Sequence, residues 1–212
     1  MLAVATVAVV IGNALVLMLG PWLVDIVYAL PGVPGDRYGL SGDDRRALAI
    51  TGLESVRPFS SSAGLELATL PDGLPAFTEA EVVHMDDVRS VITGFVVAWI
   101  AGMIAIASYA FFSPPGRTRA DLCRGLSAGA TGCLVLVAVT GLAMLVAFDT
   151  AFTVFHGLFF EGDSWRFSNS DTLLRLYPQE FWMAAGAMIV GLVVVQAIAL
   201  LLVMRRVRRA AG

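Results

Sequence analysis

Lysine is absent from this chain, and histidine and cysteine occur only twice each in 212 residues. Charged side chains make up 15% of the sequence and hydrophobic ones 58%. A soluble domain carries about 25% charge, so this composition excludes an ordinary aqueous globule and requires a low-dielectric solvent. The net charge of −3 offers no basic surface to a polyanion, and no nucleic-acid partner is expected. Cys123 falls in the loop before the third apolar run and Cys133 inside that run, both out of reach of an oxidising compartment. Neither a structural disulfide nor a reactive thiol is expected of them. Acids and bases are missing from the middles of the apolar runs, where Asn13 and Gln196 are the main polar residues. Pumps and proton relays keep ionisable groups at that depth, so transport is disfavoured.

Four uncharged runs account for the apolar excess: Leu2 to Val24 (23 residues), Val91 to Phe112 (22), Leu126 to Phe148 (23) and Phe181 to Met204 (24). A helix needs roughly 20 apolar residues to cross a bilayer, and all four runs suffice. The predicted fold is an all-α polytopic membrane protein, with four transmembrane helices and a small, mostly helical extracytoplasmic cap. It reads as one membrane domain over 1–212, with spans at 2–24, 91–112, 126–148 and 181–204. The first run has no basic residue ahead of it and exceeds the ~7–15 apolar residues of a signal peptide, so a retained span is expected. Orientation follows from arginine. The loop 113–125 holds Arg117, Arg119 and Arg124 against one acid, Asp121. The tail 205–212 holds Arg205, Arg206, Arg208 and Arg209, whereas residues 31–90 hold ten acids against five arginines. Positive charge marks the cytoplasmic side, which puts both termini inside and the segments 31–90 and 149–180 outside. The tail itself reads as a topology anchor.

Small residues recur at helical spacing (Gly125 with Gly129, Ala128 with Gly132, Ala98 with Gly102), a pattern that lets membrane helices approach closely. In the first outer segment, Pro31 to Gly35 and Pro71-Asp72-Gly73 read as turns, Asp43 to Leu53 as helix and Val56 to Thr69 as short strands. Thr78-Glu79-Ala80-Glu81 reads as a capping box that starts a helix running through His84 and Asp87. The second outer segment is dense in aromatics. Trp165, Phe167, Tyr177, Phe181 and Trp182 fit an interfacial belt, and the same surface suits acyl chains.

His84 lies seven residues before the second run and His156 eight after the third, both on the outer side. If the flanking chain is helical, each stands about 10–12 Å beyond its span, at similar depth. Spacing alone leaves four readings open: a working pair, two unrelated interfacial histidines, a zinc site completed by Asp87 or Glu161, or bis-histidine haem ligation. No serine of the outer segments stands in a G-x-S-x-G setting, so a covalent acyl-enzyme has no evident nucleophile.

Phe77-Thr78-Glu79-Ala80-Glu81 followed by His84-Met85-Asp86-Asp87-Val88-Arg89 resembles one signature of a bacterial membrane family. Phe155-His156-Gly157-Leu158-Phe159-Phe160, then Trp165-Arg166-Phe167, Asp171 and Leu176 to Trp182, resembles the other. The family is that of the lipoprotein intramolecular transacylases. The resemblance implies an acyltransferase of the bacterial cytoplasmic membrane, working at its extracytoplasmic face on a diacylated bacterial lipoprotein amid membrane lipid. The acyl chain at sn-2 moves to the α-amine of the N-terminal cysteine and leaves the lyso-form. It implies His84 and His156 as the catalytic residues, with no metal and no cofactor. One imidazole would shuttle the proton and the other would donate a hydrogen bond, His156 being the favoured shuttle. Asp87, Glu161, Trp165, Arg166, Asp171 and Glu180 stand as supporting candidates, Asp87 to orient an imidazole from three residues along the same helix face. The alternative is a non-catalytic membrane protein that binds lipid or lipoprotein through its aromatic outer segment.

Overall fold

The computed structural model describes residues 1–210, without the side chains of 115–117. The Arg117 side chain and residues 211–212 of the tail, both used in the orientation argument, lie outside the described residues. Nine helices are described: α1 (Leu2–Met18), α2 (Trp22–Ala29), α3 (Gly42–Ser55), α4 (Ala63–Glu66), α5 (Glu79–Phe112), α6 (Pro115–Val146), α7 (Phe148–Phe159), α8 (Thr172–Leu176) and α9 (Gln179–Arg209). Three of them, α5, α6 and α9, contain stretches long and apolar enough to cross a membrane, and the bent pair α1–α2 makes a fourth if counted as one span. Many of their apolar side chains are exposed, Ile104 (60%), Leu145 (74%) and Val195 (67%) among them, as a lipid solvent requires.

Three expectations are corrected here. The run 2–24 is two helices meeting at 77°, because Pro21 withholds an N–H and restricts Gly20 ahead of it. The loop 113–125 is mostly helix, since Pro115 occupies a first-turn position where the missing N–H costs nothing. The stretch 56–69 forms turns and α4 rather than strands, with a single bridge between Thr69 and Pro75 as the one extended pairing among the described residues.

The chain divides into two compact units. The first comprises residues 1–17, 95–146 and 187–212. Its core is one stripe from each of three helices: Val10 and Ala14 of α1, Ala130, Cys133 and Val137 of α6, Val193 and Ala197 of α9. The spacings of three and four residues put each set on one helix face. Small residues set the approach of α6 to α1. A Cβ on Gly129 would stand 2.4 Å from Thr6 Cβ and 2.6 Å from the Ala3 carbonyl oxygen. Polar side chains pair within the unit. Trp99 Nε1 donates to Asn13 Oδ1 (2.9 Å), and Asn13 Nδ2 donates to Gln196 Oε1 (2.9 Å). Arg119 donates to the Val207 carbonyl (2.9 Å) and Arg208 to Ser127 Oγ (2.8 Å), so arginines of both basic segments also tie α6 to α9.

The second unit comprises residues 18–94 and 147–186. Its apolar core is modest (Leu23, Val24, Val27, Leu48, Ala49, Leu65, Phe77, Leu173, Leu176, Phe181), and buried polar groups stitch it together. Arg45 donates to the carbonyls of Arg175 (3.0 Å) and Pro34 (2.6 Å) with its guanidinium over the Tyr28 ring. Arg175 pairs with Asp36 at 2.9 Å, both side chains nearly inaccessible. Glu81 matters most for the site. It is 1% exposed, and one carboxyl oxygen accepts from Thr78 N (2.8 Å) and Oγ1 (3.0 Å) while the other accepts from Leu173 N (2.7 Å). The first oxygen closes the capping box at the start of α5; the second satisfies an open N–H at the start of α8. Thr172 Oγ1 adds a bond to the Ala76 carbonyl.

Replacing Glu81 by alanine strands the buried Leu173 N–H and removes two bonds from the exposed Thr78, at a cost of roughly 2–3 kcal/mol. Thermal unfolding of Glu81→Ala in detergent is therefore expected to begin clearly below wild type, with Glu81→Gln intermediate; an unchanged midpoint would contradict this account.

Candidate active site

His84 and His156 come from chain stretches 72 residues apart and face each other, ring centroids 6.2 Å apart and planes inclined 24°. Each residue is 8% exposed. His84 stands in the polar opening turns of α5, ahead of the uncharged stretch 91–112. It shares a buried helix face with Glu81 and Met85, three and one residues away, so the capping box that fixes Glu81 also fixes the direction of His84. His156 belongs to the ladder Phe148, Phe152, His156, Phe160, in which successive members are four residues apart along α7 and its end. Centroid separations are 5.4 Å for Phe148 to Phe152, 3.9 Å for Phe152 to His156 and 5.5 Å for His156 to Phe160. Phe152 also lines an open cleft with Tyr38, Arg175 and Trp182.

After α7 the chain reverses at Gly162, whose φ of +59° suits a residue without a Cβ. The reversal brings Trp165 to 4.8 Å from His156 and Phe167 to 5.3 Å from His84. Phe160 lies against both imidazoles, 5.0 Å from His84. The pair is thus boxed by rings that offer it no charge.

The electrostatics follow from that box. Burial disfavours the imidazolium of His84, and the neighbouring His156 adds to the effect, bringing its pKa down to about 4 from 6.5. Burial also lowers the pKa of His156, partly opposed by its bond to the Phe152 carbonyl. That bond, 2.8 Å from Nδ1 to a carbonyl oxygen that can only accept, puts the proton of neutral His156 on Nδ1 and leaves the Nε2 lone pair available. Nδ1 of His84 is buried without a hydrogen-bond partner among the described residues.

The supporting candidates scatter. Trp165 packs against His156, the two rings tilted by 33°. Asp87 is exposed and does not hydrogen-bond to His84, from which it stands about 60° round the helix, on the side away from Glu81 and at the edge of the buried face. Glu161 and Glu180 are exposed. Arg166 pairs with Asp163 (3.0 Å), and its guanidinium lies 5.1 Å from the Trp165 ring. Asp171 accepts from Ser168 N (2.8 Å) and so closes the loop carrying Trp165 and Phe167. Among the described residues no three histidine, cysteine or acidic side chains are grouped to hold a metal ion. The sequence reading passed over Phe152 and Phe160 as site residues; their fourfold spacing with His156 was the available signal. It also passed over Gly125-Leu126-Ser127-Ala128-Gly129, which has the G-x-S-x-G spelling. Ser127 lies inside α6 and accepts a bond from Arg208, far from the strand-to-helix turn that a nucleophile elbow needs.

These features define an all-helical membrane protein with a buried, uncharged imidazole pair in an aromatic box. The family model of the lipoprotein intramolecular transacylase Lit matches residues 56–182, which include both histidines and the whole box. An uncharacterised protein of Aquifex aeolicus (strain VF5) is 30% identical over 162 residues, covering 73% of this chain and 68% of that protein. The chain belongs to the lipoprotein intramolecular transacylase family. Its fold is similar to that of the membrane-integral Lit from Bacillus cereus, with a TM-score of 0.78 at 18% identity over 99% of this chain and 94% of the other. A histidine-to-arginine variant of the same protein gives 0.72 at 16% identity, over 99% and 90%.

Lowered histidine pKa values make the unfolded chain bind more protons than the native one between about pH 4 and 6.5, so native stability is full above 6.5 and falls as pH drops through that window. In ¹³C-histidine NMR, the His84 ring is expected to keep its neutral signature until pH nears 4; titration at 6.5 would show that the box does not exclude charge.

Proposed function

We propose that this chain catalyses intramolecular acyl transfer, moving the sn-2 acyl chain of a diacylglyceryl-cysteine lipoprotein to the cysteine α-amine to give the lyso-form. The observation that carries the reading is the neutral His84–His156 pair, with a free lone pair on His156 Nε2. Membership of the transacylase family supports the substrate class. The arginine bias supports both termini in the cytoplasm and the histidines on the extracytoplasmic side.

The chemistry asks little beyond positioning and proton traffic. Amine and ester belong to one molecule and close roughly an eight-membered ring, so tethering replaces much of the activation entropy once the reactive conformer is held. His156 Nε2 takes a proton from the attacking amine. The nitrogen lone pair forms the C–N bond, and the carbonyl π pair moves onto oxygen. On collapse the pair returns, the bond from carbonyl carbon to glycerol oxygen breaks, and His156 returns the proton to that oxygen. The products are an amide and a free hydroxyl. The Phe152 carbonyl holds the imidazolium that forms midway and keeps the ring turned. His84, deeper in apolar contact and harder to protonate, is the hydrogen-bond donor to the substrate.

Two outcomes are expected with a purified synthetic diacyl lipopeptide, the acyl position being read by tandem mass spectrometry. His84→Ala and His156→Ala each lose roughly 100-fold or more in rate while keeping wild-type helicity, the usual weight of a positioned proton-transfer group. Near-wild-type turnover by either variant would sink the paired mechanism, and absence of turnover by wild type would favour the binding alternative. In the second, the logarithm of kcat/KM falls with unit slope below pH ~7.5, where the substrate amine protonates. A second unit of slope joins it only below 6.5, because burial lowers the pKa of His156; steepening already at 6.5 would mean an ordinary histidine.

A further inference from the structure

Unsatisfied polar atoms gather at one place in this molecule. Among the described residues, three buried side-chain polar atoms lack a hydrogen bond: His84 Nδ1, Asp86 Oδ1 and Trp165 Nε1. Asp86 Oδ1 lies 2.8 Å from Arg89 Nη1 and so has its charge partner. The other two belong to the aromatic box around the imidazoles.

Trp165 poses the sharper question. An indole N–H is a donor and nothing else, so it cannot be satisfied by rotating into an acceptor role. Leaving it buried and unpaired costs about 1–3 kcal/mol. The apolar work of the side chain, contact with His156 at 4.8 Å and with Phe152 at 6.1 Å, needs no nitrogen. Phenylalanine does equivalent work elsewhere in the box at 152, 160 and 167. The nitrogen therefore needs a reason of its own.

We propose that Trp165 Nε1–H is an oxyanion donor, a catalytic group that hydrogen-bonds to the ester carbonyl oxygen as that oxygen becomes anionic. The proposal rests on the acyl-transfer reading above. A donor idle in the ground state and engaged when charge develops lowers the barrier, because its interaction energy appears only at the transition state. No proton is transferred. The indole keeps its hydrogen while the oxygen holds the former π pair, and the contact weakens when that pair returns and the bond to the glycerol oxygen breaks. His156, in ring contact with the same indole, moves the proton, so base and oxyanion donor stand side by side. The loop that carries Trp165 is held by turns and by the Asp171–Ser168 bonds, not by helix. A small shift of the loop uncovers Nε1 to substrate without breaking a secondary-structure element.

The test separates the nitrogen from the ring. The whole protein in detergent is made with benzothienylalanine at position 165, which keeps the bicyclic shape and replaces N–H by sulfur, and in parallel as Trp165→Phe. Both are expected to lose roughly 100-fold in kcat with KM changed less than about threefold, the scale of one lost oxyanion donor. Helicity should stay with wild type for the benzothienyl form, and its thermal midpoint should be no lower, since the unpaired buried donor is gone. Independently of turnover, the Trp165 indole proton in ¹⁵N-labelled wild type, identified by its loss in Trp165→Phe, should move downfield when a phosphonate analogue of the diacyl ester binds. A benzothienyl variant with kcat within twofold of wild type, or an indole signal unmoved by bound phosphonate, overturns the proposal. Wild type that binds the phosphonate with the downfield shift yet turns over no lipopeptide counts against the acyl-transfer reading and leaves the donor site standing.

Discussion

The site depends on one carboxyl group. Glu81 sits where two chain ends must be held at once, the start of α5 and the start of α8, and its two oxygens take one each. On one side it fixes the helix face that carries His84. On the other it pins the far end of the segment that carries Phe160, Trp165 and Phe167 against the histidines. A short apolar contact does not set two directions in this way, because dispersion is not directional and the second unit has little apolar mass to spend. A buried acceptor with three donors aimed at it is directional, and leaving the buried Leu173 N–H unpaired is costly.

The aromatic box and the proton chemistry are two consequences of the same packing. Rings that exclude water hold both imidazoles neutral, and a neutral imidazole is what an amine about to attack needs as its acceptor. Neutrality alone does not divide the labour. The Phe152 carbonyl does, because it claims Nδ1 of His156 and so exposes the Nε2 lone pair, while Nδ1 of His84 has no such partner among the described residues. Two copies of one side chain acquire different roles through what their second nitrogen meets. Carboxylates near the pair would have defeated this arrangement by favouring imidazolium, which gives a physical reason for Asp87 to face outward.

The long apolar helices, the arginine asymmetry and the capping box were legible in the sequence, because each is local. Hydrophobic length is counted along the chain, and Thr78 and Glu81 stand one helical turn apart. The bend at Pro21 was also written there and was passed over because the apolar run continues through it. The helix at 115–125 was hidden by a Pro-Gly pair that reads as a breaker yet sits where proline starts a helix. The short strands expected over 56–69 failed because β pairing needs a partner, and the surroundings supply only the bridge from Thr69 to Pro75.

Sequence by itself determined that the chain is a helical membrane protein with only two imidazoles, both set just beyond apolar runs, since composition and spacing do not depend on how helices pack. Tertiary structure alone decided that the two rings meet at 6.2 Å, that Trp165 rather than Asp87 touches them, and that one Nδ1 finds a carbonyl while the other finds none. The meeting of the rings is a contact across 72 residues, and the Trp165 contact needs the chain reversal at Gly162. Only the packing of whole elements, with its close-range sterics and buried hydrogen bonds, selects among the many arrangements that spacing allows.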